Sequence, residues 1–529
     1  MPRDYTTGTI GRAVVLLAIP MVLEMSMQSL FAVVDVFFVA RLGPEAVAIL
    51  GLSDSLLALV FAVAIGLAMG TAAMVARRIG EGSPQQAAVA AVQAIATGVA
   101  VSVALGTVGV VFAPELLQML GATPELATHG RLFTSIMLGG NITVMLLFLI
   151  NAIFRGAGDP ALAMRSLWLA NLINIALDPV LIFGLGPIPA MGLEGAAVAT
   201  TFGRAMGVLY QLRQLSNRRG RIVVDWRSAS LDVAVMVRLF RVSGIGVLQY
   251  LVSTASFLGL IRILAPFGES ALAGYTIAIR IIIFILLPAW GMGNAGATLV
   301  GQNLGAGNPD RAERSVWFTA RCNTVFLGTI GVVILAFATP VVGLFTTEPE
   351  VAAVAVACLR TVSYSYVFWG FGLVTVQAFN GSGDTTTPAW INFFVFWLVQ
   401  LPLAWTLSGP GGLGPGRVFW AIAVSQSLLA VVGVLAFRRG TWKRREILYL
   451  DGATPRTPRD RSRGPTTPLR VRRARTCAPR PFSTAGFGRG ARSGKPTRVL
   501  ARVPLTVTSL SSDAGWRPGS VCGAGCCRG

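Results

Sequence analysis

The chain has 529 residues, of which 54% are hydrophobic and only 13% charged, with a mean hydropathy of +0.67. Soluble domains carry about 25% charged residues, so a water-soluble globular fold is excluded and most of this surface must face lipid. A single histidine, His129, and no cysteine before Cys322 argue against histidine catalysis, a multi-histidine metal site or a disulfide framework.

The net charge of +21 comes from two unlike regions. Residues 1–440 hold 25 basic and 19 acidic residues, whereas 441–529 hold 19 basic and 4 acidic ones, with four of the six cysteines. The basic character is therefore mostly that of a terminal segment. That segment is rich in Arg, Pro, Gly, Ser and Thr and has no hydrophobic period, which predicts disorder. Charge alone would let it meet anionic lipid or nucleic acid. The weightier reading is a nonfunctional extension or a frame error.

From the N-terminus, Met1 to Arg12 is polar and the following apolar run is too long for a signal-peptide core, so no cleavable leader is expected. Twelve apolar runs follow, each near the ~20 residues that a bilayer requires. They are placed near 13–39, 46–75, 87–112, 127–154, 161–184, 191–213, 236–264, 270–300, 312–338, 351–379, 386–408 and 415–437. One set of loops carries Arg3, Arg12, Arg77, Arg78, Arg155, a cluster from Arg213 to Arg227, Arg311, Arg314, Arg438 and Arg439. The other set offers Arg41, Arg131, Arg262 and Arg417. Basic residues are retained in the cytoplasm, which predicts both termini there.

The chain repeats itself at an offset of 225 residues. Ile79-Gly80-Glu81-Gly82-Ser83-Pro84 falls on Leu304-Gly305-Ala306-Gly307-Asn308-Pro309, and Arg155-Gly156-Ala157-Gly158-Asp159 on Asn380-Gly381-Ser382-Gly383-Asp384. Leu42-Gly43 falls on Phe267-Gly268. Six spans per copy is an even number, so the copies share one topology and should be related by a pseudo-two-fold along the membrane normal. The expected organisation is an N-terminal lobe 1–213, a cytoplasmic linker 214–235, a C-terminal lobe 236–440 and the basic segment 441–529. No strand precedes either Gly-rich turn, so neither is a nucleotide loop.

Ionisable groups inside a bilayer cost roughly 2.5–3.5 kcal/mol each on insertion scales, so each calls for a reason. The first span carries Glu24, Gln28, Phe31 and Asp35 along one helical stripe, and the fifth carries Asn171, Asn174 and Asp178;. At a rise of ~1.5 Å per residue, Asp35 and Asp178 both lie about 9 Å below the outer end, with Asn174 and Thr200 somewhat deeper. Four oxygen-bearing side chains can thus meet in the outer half of the first lobe. Two carboxylates so placed would take up a proton, or hold a small alkali cation with the amide and the hydroxyl. The alternative is that they bond neighbouring helices or sit at the headgroups. Pro20 and Pro179 permit kinks in the first and fifth spans. The second lobe has Arg280 and Arg360 but no embedded carboxylate, and Leu260 occupies the repeat position of Asp35. Coupling is therefore expected in the first lobe alone, with the roles of Glu24, Arg280 and Arg360 left open.

These residues resemble the multidrug and toxic compound extrusion family over roughly 11–438. The resemblance rests on Ala18-Ile19-Pro20, Val34-Asp35, Ala40-Arg41-Leu42-Gly43, the paired Gly-x-Gly-Asp turns and Gly195 through Thr200. It implies two six-helix lobes around a central cavity, exporting cationic or amphipathic compounds in exchange for protons or sodium ions. It also implies a first-lobe cation site, for H+ or Na+, at Asp35, Asn174, Asp178 and Thr200, and substrate contacts at Gln28, Asn151 and Asn171. One branch of the family has an acidic residue on the seventh helix, where this chain reads Gln249-Tyr250-Leu251-Val252-Ser253. The leading expectation is a monomeric inner-membrane antiporter without a cofactor, acting on a small molecule and binding no nucleic acid. A lipid-linked saccharide flippase and a nontransporting scaffold or receptor remain as other readings, and no nucleophile–base pair or metal cluster suggests an enzyme.

Overall fold

The structure is a computed structural model that describes residues 4–217, 220–226, 231–409 and 415–444. The segment from 445 onward, including Cys477, Cys522, Cys526 and Cys527, lies outside the described residues.

Apolar runs in lipid can satisfy their backbone polar groups only within helices, and helices are what these runs form. The first lobe comprises α1 (Ile10–Val39), α2 (Pro44–Gly80), α3 (Pro84–Val111), a short α4 (Ala113–Met119), α5 (Pro124–Gly139), α6 (Asn141–Ala157), α7 (Pro160–Phe183) and α8 (Gly192–Leu215). The second comprises α9 (Val233–Leu264), α10 (Glu269–Gly305), α11 (Pro309–Gly343), α12 (Pro349–Ser363), α13 (Tyr366–Ser382), α14 (Thr386–Asn392), a π-helical stretch Phe393–Gln400, α15 (Leu401–Leu407) and α16 (Gly416–Arg438). Proline opens α2, α3, α5, α7, α11 and α12, where its missing N–H has no intrahelical partner to lose;.

Among the described residues, ten helical spans are long and apolar enough to cross a membrane, with α5 and α6 counted as one. The pair α12 and α13, meeting at 62°, makes up to eleven. Helix α8 is the sixth expected span. Its 24 residues suffice in length, but Glu194, Thr200, Thr201, Arg204 and Arg213 make it the most polar of the set. Pro20 and Pro179 lie inside α1 and α7, which continue through them as uninterrupted helices. The backbone leaves helical geometry instead at Phe337 (φ −115°, ψ 19°), just before Pro340 of α11.

The repeat is visible in the backbone. Gly158 and Gly383 end α6 and α13 at φ 80° and 86°, left-handed values that only glycine adopts cheaply, and their N–H groups bond the same two repeat-related carbonyls;. Gly43 and Gly268, at φ 105° and 95°, and Gly82 and Gly307, at 72° and 75°, match likewise. In each lobe a tryptophan ties the fifth span to the first: Trp168 donates to Leu23 O at 3.2 Å and Trp397 to Val252 O at 3.0 Å.

The lobes meet through contacts that obey a two-fold. A methyl group on Gly66 would strike the backbone N of Val247, and one on Gly291 that of Val22. Gly80 lies against the backbone of Gln302, and Gly305 against that of Arg77. Under the 225-residue offset each contact maps onto its counterpart, as an isologous two-fold requires. Leu17 and Met21 of α1 pack with Ala295 and Leu299 of α10 at the same level. These contacts lie in the half of the bundle that contains the N-terminus and the Arg77–Arg78 loop, so the lobes close on each other there.

The folded body continues past residue 440, the boundary drawn from composition. Trp442 is fully buried, stacks on Phe437 at 4.7 Å and donates to Phe437 O at 3.0 Å, while Lys443 pairs with Glu313 at 2.5 Å. The described part of the inter-lobe segment is packed rather than free. Ile222 and Val224 join a first-lobe core cluster, and Arg221 donates to Ala157 O at 2.6 Å.

Candidate functional site

Asn171, Asn174 and Asp178 follow one another on α7 at spacings of three and four, so they form a single stripe, and all three are buried;. Across from it, α8 approaches closely because Gly203 leaves room against Ala170 O and Asn174. That approach brings Thr200 within reach. Asn174 Nδ2 donates to Thr200 Oγ1 at 2.9 Å and to Asp178 Oδ1 at 3.3 Å. The same amide's Oδ1 and the other carboxylate oxygen, Asp178 Oδ2, are buried with no hydrogen-bond partner. Buried acceptors left unsatisfied are rare and costly, and here two of them belong to directly bonded residues.

Asp35 of α1 is half-buried and lies within electrostatic range of Asp178. Of the four residues expected to meet, Asn174, Asp178 and Thr200 are joined by direct hydrogen bonds, and Asp35 contributes only its charge at a distance. Hard oxygens of carboxylate, amide and hydroxyl type suit an alkali cation, and paired carboxylates equally suit a proton. Either ion would be cargo here. Among the described residues no group of three or more His, Cys, Asp or Glu forms a metal centre.

Two charged residues not assigned from the sequence lie near this cluster. Arg204, one turn beyond Thr200 on α8, is half-buried with its guanidinium 6.0 Å from the ring centres of both Phe31 of α1 and Phe61 of α2;. Phe31 lies one turn before Asp35 and Phe61 two turns after Asp54, so each helix presents a ring and a carboxylate on one face;. Asp54 is exposed and interacts electrostatically with both Arg204 and Asp35. The neighbourhood thus mixes three carboxylates, a guanidinium and two aromatic faces.

The expected substrate contacts divide. Asn151 lies deeper, where its Nδ2 donates to Glu24 Oε1 at 3.1 Å and its Oδ1 accepts from Gln211 at 2.6 Å. Asn171 is buried with its Nδ2 unpartnered, and Gln28 is half-buried. Glu24 is buried and pairs with Arg155 at 2.7 Å. In the second lobe Arg280 and Arg360 are exposed, and Leu260, opposite Asp35 in the repeat, is buried in the apolar core. His129 is exposed beside Glu45 at 2.7 Å.

The MatE family model matches the chain twice, over residues 20–180 and again over 247–406. The chain belongs to the MatE family. The two matches fall on the two lobes, so the duplication read from the turns is a duplication of the MatE unit. The chain is 26% identical to a probable multidrug resistance protein NorM of Thermotoga maritima, over 83% of this chain and 94% of the relative. It is also 26% identical to an FAD transporter of Shewanella oneidensis, over 75% of this chain and 88% of that one. Among solved structures it resembles a multidrug resistance MATE transporter in an outward-facing conformation, with 26% identity and a TM-score of 0.78, covering 83% of this chain and 98% of the other. A MOP superfamily transporter from Pyrococcus furiosus is similar at 27% identity and the same TM-score and coverages. This MatE protein is accordingly a membrane transporter and not an enzyme.

Proposed function

We propose that this MatE protein is a secondary antiporter that expels cationic or amphipathic small molecules in exchange for H+ or Na+, by alternating access. The observation that carries the reading is the buried Asn174–Asp178–Thr200 cluster with its two orphaned oxygens, within electrostatic range of Asp35. A cation seated there and a cationic substrate against Asp35 and Asp54 compete for the same negative charge, so binding of one favours release of the other. With the basic loops in the cytoplasm, both termini are cytoplasmic in a bacterial inner membrane. The end at which the lobes meet is then the inner one. The protein acts as a monomer, since each chain has both lobes and the whole chamber, and the exchanged ion serves in place of any cofactor.

Proteoliposomes loaded with a fluorescent organic cation test the proposal. Imposing a proton gradient and a sodium gradient separately should accelerate dye export under one of them; export indifferent to both would refute antiport. Arg204 between two aromatic rings supports a second reading, in which the cargo has an anionic group as well as a ring system. The Shewanella relative is named for such a molecule. Gradient-driven export of a flavin nucleotide, with none of the organic cation, would favour it.

A further inference from the structure

A buried ion pair joins α1 to α6 at the closed end, away from the chamber. Arg155 Nη1 donates to Glu24 Oε1 at 2.7 Å, and Asn151 Nδ2, one turn earlier on α6, donates to the same oxygen at 3.1 Å. Gln211 of α8 donates to Asn151 Oδ1 at 2.6 Å and to Leu147 O at 3.3 Å. Glu24 is 1% exposed and the Arg155 side chain 12%. Replacing such a pair by apolar residues is often neutral or stabilising, so stability alone does not account for it.

Its position suggests another role. The last turn of α6, which Arg155 anchors, is also where α6 touches the second lobe. Thr298 of α10 donates to the backbone O of Arg155 at 3.2 Å, and Gln302 of α10 donates to that of Gly156 at 2.9 Å. The side chain of one residue is thus held inside the first lobe while its carbonyl receives a bond from the second. The repeat lacks this device. Gln249 and Asn380 stand where Glu24 and Arg155 stand in the first lobe, and Asn380 donates instead to Gln377 at 2.8 Å.

We propose that Glu24 is a positioning residue for lobe closure: by holding the Arg155 guanidinium it sets the α6 end in the register at which α10 can bond it. Glu24 and Asp35 share α1, eleven residues or about three turns apart with no proline between them;. A shift of α1 at the chamber therefore reaches the latch. The inference rests on the alternating-access reading but is tested without transport.

Spin labels attached through Gln85→Cys and Asn308→Cys, on opposite lobes at the closed end, in a full chain whose six native cysteines are replaced by serine, report closure in nanodiscs without gradient or substrate. With Glu24 in place this protein should give one short distance. Glu24→Ala should produce a roughly tenfold gain in a longer-distance population, within the range that conformational couplings span. Glu24→Gln, which keeps an oxygen for Arg155 but not the charge, should gain less, and Glu24→Asp should restore the short distance. A single short distance in both Glu24→Ala and Glu24→Gln would overturn the latch. Should dye export fail in the native protein, the transport reading falls while this distance result stands by itself.

Discussion

Asp35→Asn is expected to abolish ion-driven export while leaving the protein folded and inserted. The substitution keeps the side chain's size and hydrogen-bonding capacity and removes the charge that acts on Asp178. Each net charge moving through 100 mV contributes about 2.3 kcal/mol, which sustains about a 50-fold concentration ratio of substrate. In the variant that ratio should collapse toward one. Downhill equilibration of the dye should persist, because the path between the lobes is unaltered. Steady-state dye accumulation in everted vesicles measures both quantities. An Asp35→Asn protein that still concentrates dye under an imposed gradient would remove Asp35 from the coupling step.

The second large effect concerns Asp178. Asp178→Asn should match Asp35→Asn in its loss of ion-driven accumulation, because Asp178 is the one carboxylate of the three that is fully buried. Asn174 offers its Nδ2 to both Asp178 and Thr200, so an amide at 178 can retain this contact through its own oxygen. The informative case is the double variant. If both carboxylates serve one ion, losing the second costs nothing further, and the Asp35→Asn, Asp178→Asn protein should be no worse than either single. Two independent ion sites would instead give losses that multiply. A cycle of this kind isolates the interaction between neighbouring groups, and initial rates of gradient-driven export supply its four values.

What the sequence discloses and what it hides divide along a physical line. Features within one helix or one turn are legible: the spacing of Asn171, Asn174 and Asp178, the glycines at positive φ, and the 225-residue offset that recurs in the inter-lobe contacts. Asn174, Asp178 and Thr200 are found together because depth along two antiparallel helices follows from residue count, and Gly203 then allows those helices to close. Features that depend on how one helix is rotated against another are not legible. Asp54, ten residues into α2, shows its charged neighbours only once α1, α2 and α8 are assembled, and the same assembly brings the Arg204 guanidinium to Phe31 and Phe61. The Glu24–Arg155 pair is hidden for the same reason, since its members are separated by 131 residues. Helix α8 illustrates the limit of hydropathy. The residues that bring it into the site also make it the least apolar span, so its place in the membrane is carried by its partners.

The mixture of charges in the chamber also bears on selectivity. Arg204 interacts with Asp35 and Asp54, so under the proposed exchange it should act as a tethered competitor and favour substrates whose charge is diffuse or accompanied by an anionic group. The aromatic faces of Phe31 and Phe61 then offer such molecules a surface with the same affinity for cations that now holds the guanidinium.

The most direct measurement is equilibrium binding of a fluorescent organic cation to the purified protein while the candidate ion is titrated. The apparent Kd should rise in proportion to proton or sodium concentration, as for two ligands excluding each other, and this dependence should vanish in Asp178→Asn. A dye affinity unchanged by both ions, with the ion bound at the same time, would contradict exchange at a shared first-lobe chamber.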